Sequence, residues 1–403
     1  MLSSDSGRST VGIVHPQLIP RGGSEARALW LAEALKDNYI VSLISMGRID
    51  LERLNDYYGT HLNYSDIRTI EIPIPNIAQS RFDALRGYRL ARYCRENAHQ
   101  FDALISSYNV MDFGMRGIQF IADFSFNDHL RRRLDVSMAG PAGLLYKKSI
   151  FRSLYLGLAN RLAGQTQKGW LGNMTVSNSH WTSEIMGEAY GLSSQIIYPP
   201  VHCKFPVVEW GERENGFIAL GSITLAKRFE RIIGILKRVR ENGFKTHLHI
   251  VGGDSQSTYS KIIRDLANKN SQWVFLEGKL SGQAKLQIIA HHRYGISGRQ
   301  NEPFGIAVAE MVRAGCLVWV PCGGGQMEIV EHPALIFKDE DEALAKITEV
   351  LKSESLQQVL KQYLSQKADM FSEEKFMNEG RELVRQFINV EHCGPKRYCE
   401  IGS

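Results

Sequence analysis

Twice along this chain, short apolar runs alternate with helix-patterned segments, and glycine-bearing turns join many of them. The first series starts with TVGIVH at 10–15. A loop from Pro16 to Gly23 follows, then a helix that Ser24 can cap, with Glu25 in its first turn and Ala28, Leu31, Ala32 and Leu35 at helical spacing. YIVSLISM (39–46), IRTIEIPI (67–74) and FDALISSY (101–108) read as further strands, with a helix over about 82–99 before the last. The second series starts near residue 215: GFIALGSI, a helix at 226–242, THLHIVGG, a helix at 257–269, WVFLEGKL, a helix at 281–292, RYGISG, another helix after Glu302, and CLVWVPCGGG. Strands that alternate with helices pair in parallel, so each series predicts a parallel α/β sheet. A chain of 403 residues exceeds one ordinary core, and two series mean two domains. TVSNSHWTSEIMGEAYGLSSQIIYPPV (175–201) adds a strand, a helix and a strand, and its Pro-Pro turn puts the boundary near 199–213. The expected division is 1–205, 206–370, and a terminal helix and tail over 371–403. Two doubly wound domains face each other across a cleft at the carboxyl ends of their strands.

Composition narrows the function. Hydrophobic content of 43% and charged content of 23% are those of a globular protein. No run of eighteen apolar residues is present, and MLSSDSGRST carries no apolar signal core, so a cytoplasmic location is expected. Cys94, Cys203, Cys316, Cys322, Cys393 and Cys399 form no paired framework, which fits reduced thiols. No His/Cys cluster has metal-ligand spacing along the chain. The net charge of +5 is mild, but no acidic residue occurs from Val136 to Ser183. Within that zone LLYKKSIFRSLYLGLANRLA (144–163) places Phe151, Leu154, Tyr155, Leu158 and Leu162 at helical spacing beside Lys147, Lys148, Arg152 and Arg161. Such a segment can lie on an anionic membrane face, or pack as a helix on its own sheet. Stacking aromatics do not interleave with the basic residues, which argues against nucleic acid.

The sharpest local pattern is NEPFGIAVAE at 301–310. A strand ends in a glycine turn, Pro303 suits the first position of a helix, and Gly305 admits a ligand close to backbone. Free N–H groups at such a helix start attract an anion, and Glu302 and Glu310 add two carboxylates. The pattern reads as a site for a phosphate joined to a polyhydroxylated group. It resembles the E-x7-E signature of retaining, nucleotide-sugar-dependent glycosyltransferases of the GT-B fold, family four. The resemblance extends over nearly the whole chain and is sharpest in the second half. It implies that Glu302 holds the donor sugar, Glu310 binds the ribose, and Phe304, Gly305 and Ile306 line the donor.

Other segments fit the same resemblance. LGSITLAKRFERIIGILK (220–237) is similar to the family's phosphate loop, with Lys227 in its place, Arg228 beside it, and Ser222 where an arginine is usual. Fixed cations there stabilise a diphosphate leaving group as its charge develops; Arg228 or Arg299 could supply the missing guanidinium. RGGSEARALWLAEAL (21–35) resembles the first glycine loop, so Gly22 and Gly23 would turn amides toward the diphosphate. CGGGQMEIVE (322–331) resembles a further glycine element, with Gly324 and Gly325 near the donor and Glu328 structural or near the sugar. Lys279 and Leu280 would line the base.

The first half departs from the family. Where relatives carry a histidine, QFIADFSFN (119–127) has Ala122, with Asp123 beside it. Asp123 can contact the acceptor or cap a turn, and His15 at the end of the first strand is a second candidate. Asp339-Glu-Asp341 matches a D-x-D metal motif, but acidic residues before EALAKI suit a helix start. The expectation is transfer from a nucleotide-diphosphate sugar to a hydroxyl acceptor, lipid-linked or glycan, with no metal cofactor. A sugar-nucleotide epimerase and a catalytically silent binding subunit are the alternatives.

Overall fold

The computed structural model describes residues 7–19, 22–74, 83–134, 164–202, 204–254, 257–280 and 282–393. Segment 144–163, with its basic amphipathic pattern, lies outside them, as do Cys203 and Cys399.

The first domain is built on a seven-stranded sheet in the order β3-β2-β1-β4-β5-β6-β7. Its strands are β1 (Thr10–His15), β2 (Ile40–Met46), β3 (Arg68–Ile72), β4 (Ala103–Ser106), β5 (Ile118–Ile121), β6 (Met174–Ser177) and β7 (Gln195–Ile196). All its pairings are parallel. Helices α1 (Gly23–Leu35), α2 (Leu51–Tyr58), α3 (Asp83–Glu96), α4 (Asp128–Leu134), α5 (Gln167–Leu171) and α6 (His180–Tyr190) connect them. The second domain has six parallel strands in the order β10-β9-β8-β11-β12-β13. They are β8 (Glu214–Leu220), β9 (Leu248–Val251), β10 (Val274–Gly278), β11 (His292–Ile296), β12 (Leu317–Pro321) and β13 (Ile336–Phe337). Its helices are α7 (Phe229–Glu241), α8 (Thr258–Lys269), α9 (Gly282–Ala290), α10 (Ile306–Arg313), α11 (Gln326–Val330), α12 (Glu340–Lys352) and α13 (Glu354–Ala368).

Strand order reverses between β1 and β4 in one sheet and between β8 and β11 in the other. Loops leaving neighbouring strands there diverge and open a crevice at the carboxyl ends. The loops carrying Gly22, Ser222–Arg228 and Arg299–Glu302 leave β1, β8 and β11, so the topology gathers them at these crevices. Among the described residues no helix is long and apolar enough to cross a membrane.

The last helix, α14 (Glu373–Cys393), returns to the first domain. Its Phe376, Leu383, Val384, Phe387 and Ile388 join the core formed by α1 and the face of the first sheet. Arg381 Nε donates to the Ala34 carbonyl at 2.9 Å, and Arg116 pairs with Glu391 at 2.6 Å. The terminal segment is therefore a structural part of the first domain and straps the two domains together.

Candidate active site

The turn after β8 builds the basic side of the site. A short 3-10 turn, Leu225–Lys227, precedes α7, and Arg228 at its N-cap has φ 51°. A non-glycine residue in this left-handed region is uncommon and persists where surroundings hold it. Lys227 Nζ reaches the Glu302 carboxylate at 2.9 Å, and Arg299 reaches its other oxygen at 3.1 Å. Burial pushes the Glu302 carboxyl up, but the charges of Lys227 and Arg299 and their hydrogen bonds hold it below the usual range. Glu302 is thus a carboxylate locked between two cations.

Arg228 is placed elsewhere. Its guanidinium pairs with Glu230 at 2.6 Å, and Glu230 in turn accepts from the Tyr259 hydroxyl. Of the two arginines that could stand in for the one missing at Ser222, Arg299 shares a carboxylate with Lys227, and Arg228 does not. Ser222 itself is exposed.

The helix that follows Glu302 starts later than the sequence suggests. Pro303 is not its first residue; α10 begins at Ile306, with Gly305 as N-cap at φ 107°. Two contacts keep the intervening backbone extended. Glu302 bridges Gly324 in parallel fashion, and the Pro303 carbonyl accepts from Ser179 Oγ at 2.6 Å and Thr182 Oγ1 at 3.2 Å. Phe304 turns inward and is buried against Tyr198 and Phe371, each ring 5.7 Å away. Any donor contact there would come from backbone. Glu310 lies on α10 and pairs with Lys285 of α9 at 2.6 Å. Lys279 is exposed and Leu280 is half-buried after β10.

The two domains meet at this same place. A Cβ on Gly23 would stand 1.7 Å from Ile306 Cδ1, so only glycine lets the start of α1 approach α10 so closely. Gly22 is exposed beside it. Glu328 is structural: its carboxylate accepts the His180 amide at 3.0 Å, the Trp181 amide at 2.9 Å and the Tyr198 hydroxyl at 3.1 Å. A second-domain carboxylate thereby caps first-domain helix α6, where free N–H groups and the helix dipole favour negative charge. Asn301 Nδ2 adds a bond to the Leu134 carbonyl at 3.0 Å.

On the first-domain side, Asp123 accepts from Tyr108 Oη at 3.1 Å, Asn109 Nδ2 at 2.8 Å and the Ser125 amide at 2.9 Å. It both closes a turn and joins a polar cluster. Asn109, at φ 62°, also accepts the amides of Ala122 and Asp123, fixing the backbone of that turn. His15 is buried; its Nδ1 accepts from the Gln17 amide at 3.2 Å, and its Nε2 has no partner among the described residues. Burial, assisted by the charge of Arg27, lowers its pKa to about 3, so the ring is neutral. Arg27 is buried as well, donates to the Ser107 carbonyl at 3.2 Å, and is offset by Asp123 and Tyr108. Arg27, Tyr108, Asn109 and Lys285 were not foreseen from the sequence. Arg27 sits among the apolar residues of α1, and that misplaced charge was the one available signal.

The D-x-D segment is structural. Asp339 caps α12 by accepting the Glu342 amide at 2.9 Å, and exposed Asp341 pairs with Arg238 at 2.7 Å.

Residues 204–367 match the family model described as glycosyl transferases group 1. A curated relative, GDP-Man:Man(3)GlcNAc(2)-PP-Dol alpha-1,2-mannosyltransferase of Dictyostelium discoideum, is 23% identical over 288 residues, covering 66% of this chain. The match spans 55% of that relative's own length. Among solved structures, HepE of Anabaena in complex with UDP and glucose superposes with a TM-score of 0.66 at 14% identity, covering 94% of this chain and all of that one. WaaG, a glycosyltransferase involved in lipopolysaccharide biosynthesis, gives 0.65 at 15% identity over 93% of this chain and 99% of its own. Sucrose-phosphate synthase from Thermosynechococcus elongatus gives 0.67 at 14% identity, covering 95% and 100%. The fold is the two-domain GT-B architecture, as the sequence motifs imply.

Proposed function

We propose that this chain, a group 1 glycosyl transferase by its second domain, moves a sugar from a nucleotide-diphosphate donor to a hydroxyl acceptor with retention of anomeric configuration. The observation that carries this reading is the pairing of Lys227 and Arg299 on one half-buried carboxylate, Glu302, at the carboxyl ends of β8 and β11. A diphosphate arriving at the two cations exchanges with that carboxylate. Glu302 is then released to accept hydrogen bonds from the donor sugar, while Glu310 meets the ribose. The anomeric C–O bond to the diphosphate breaks as its charge grows, and fixed cations stabilise that charge. The acceptor oxygen bonds to the same face of the anomeric carbon, and its proton passes to a diphosphate oxygen. No step needs a protein nucleophile or a metal.

Supporting the donor class are the UDP named in the HepE complex and the GDP-mannose named for the curated relative. The acceptor in that relative's name is a dolichol diphosphate glycan, which favours a lipid-linked acceptor here. The acid-free basic segment around Lys147, Lys148 and Arg152 fits a contact with an anionic bilayer from the cytoplasmic side. Anionic vesicles should co-sediment the protein, less so at high salt and after charge reversal of those three residues; equal recovery in the supernatant with and without vesicles contradicts the membrane contact.

The activity test is a panel of nucleotide sugars with the purified chain, reading released nucleoside diphosphate and the anomeric proton of the product. One donor class should be used, the product should keep the donor's anomeric configuration, and EDTA should leave the rate unchanged. An inverted product, or free epimerised donor without transfer, contradicts the reading.

A further inference from the structure

The strand carboxyl ends of the second sheet carry the site above. The opposite edge carries a separate cluster of donor groups. Glu214 opens β8, His292 opens β11, His247 directly precedes β9, and His249 is the second residue of β9. These strands are neighbours in the order β9-β8-β11, so residues remote in sequence meet at one edge. One donor atom from each of the four lies within 4.8 Å of the others. His247 Nε2 is 3.3 Å from His292 Nε2 and 3.1 Å from a Glu214 oxygen. A tetrahedral zinc ion with bonds of about 2.0–2.1 Å keeps its ligand atoms ~3.3 Å apart.

Two of the three remaining ring nitrogens are already engaged. His249 Nδ1 lies 2.6 Å from Glu277 of β10, and His292 Nδ1 lies 2.6 Å from the Ile288 carbonyl. A carbonyl or a carboxylate accepts a hydrogen bond from Nδ1–H, and in that tautomer Nε2 carries the lone pair. Carboxylate and carbonyl acceptors behind imidazoles are the outer partners that orient metal-bound histidines. His247 Nε2 has two acceptors close by and at most one proton to give; a cation would serve both. A Cβ on Gly216 would stand 2.1 Å from His247 Nε2, so the glycine makes room for the ring. Phe275 stacks on His249 at 4.8 Å and restricts that ring too. His292 is buried, while Glu214 stays open to solvent and gives an ion access.

We propose that Glu214, His247, His249 and His292 form a binding site for a divalent transition-metal ion of the zinc type, with Glu277 and the Ile288 carbonyl orienting two of the rings. Imidazole and carboxylate donors suit such ions, and four protein ligands close the coordination shell as structural sites do. The ion would brace three strands at the sheet edge away from the cleft. Seven residues of β8 at about 3.3 Å each separate it from the phosphate turn by roughly 20 Å. It has no part in sugar transfer, and the inference does not rest on that reading.

The test uses untagged full-length protein, stripped by chelator and then equilibrated with Zn2+ alone. Wild type should keep about one equivalent through gel filtration and melt at a higher temperature than the stripped protein. Co2+ in its place should give the visible absorption of a tetrahedral ion. A His247→Ala, His249→Ala double variant should lose the bound metal, and Glu277→Gln should weaken it about 10–100-fold without removing a ligand. Retention of less than about a tenth of an equivalent by wild type overturns the site. So does equal retention by the double variant with an unchanged circular dichroism spectrum. If that variant does not fold, Glu214→Gln, at a solvent-exposed position, decides: a shifted Co2+ spectrum supports the site and an unchanged one overturns it.

Discussion

The Glu328 carboxylate of the second domain accepts the backbone N–H of Trp181 in the first, at 2.9 Å. The same carboxylate takes the His180 amide at 3.0 Å, so one side chain caps a helix across the domain boundary. Glu328→Ala leaves two amides at a domain interface without their acceptor, at about 1–3 kcal/mol. Urea unfolding should show a loss of that order, and Glu328→Gln, which keeps one acceptor oxygen, a smaller one. Equal stability of all three proteins contradicts the capping role.

Gly23 and Ile306 form the second bridge. Gly23→Ala puts a methyl group where Ile306 Cδ1 now lies and should cost about 1–3 kcal/mol in overpacking or force the domains apart. Ile306→Ala should restore much of the loss when combined with Gly23→Ala. Small-angle scattering and kcat/KM of the single and double variants check this; additive losses would show that the two positions are uncoupled.

Glu373 opens α14 and ties it to both domains, through His202 Nδ1 at 3.1 Å and Arg313 at 3.1 Å. Burial alone would raise its pKa. The hydrogen bond from His202, its own backbone amide and the charge of Arg313 outweigh that and lower it to about 2. A carboxylate with a depressed folded-state pKa stabilises the fold above its unfolded value near 4.5, and that contribution is lost as pH falls toward 2. Glu373→Gln should therefore be less stable than wild type at pH 7, with the gap closing below about pH 4.5. A gap that stays constant from pH 7 to pH 3 contradicts the linkage.

Much of the fold was legible because both sheets are parallel and buried on two faces, so β1 at Thr10–His15 and β2 at Ile40–Met46 stand out as apolar runs. The start of α10 was not legible. Pro303 favours a helix start locally, but its carbonyl is held by Ser179 and Thr182, 124 and 121 residues away. Arg228 adjoins Lys227 in sequence, yet the left-handed backbone at Arg228 sends the two side chains to different carboxylates. Arg299 lies 72 positions from Lys227 and meets it only because β8 and β11 are neighbours. Glu214, His247, His249 and His292 are scattered for the same reason, so no metal-ligand spacing shows along the chain. The role of α14 was hidden because an amphipathic helix does not reveal which domain it will cover.

For catalysis, Glu302→Gln should lower kcat while leaving nucleoside diphosphate binding near wild type. Lys227→Ala should reduce kcat more than it raises the donor Michaelis constant, because leaving-group charge grows toward the transition state. A loss of about 1.5–3 kcal/mol is expected for each charged hydrogen bond removed. A pure rise in the Michaelis constant for Lys227→Ala would assign it to ground-state binding alone.

The central claim is that Lys227 and Arg299 form a diphosphate site beside Glu302. Calorimetric titration of uridine, guanosine and adenosine mono- and diphosphates measures this directly. The diphosphate of one base should bind at least tenfold tighter than its monophosphate, and the Lys227→Ala, Arg299→Ala double variant should erase that difference. Equal affinity for mono- and diphosphate in wild type, or a preference that survives in the double variant, would contradict the account.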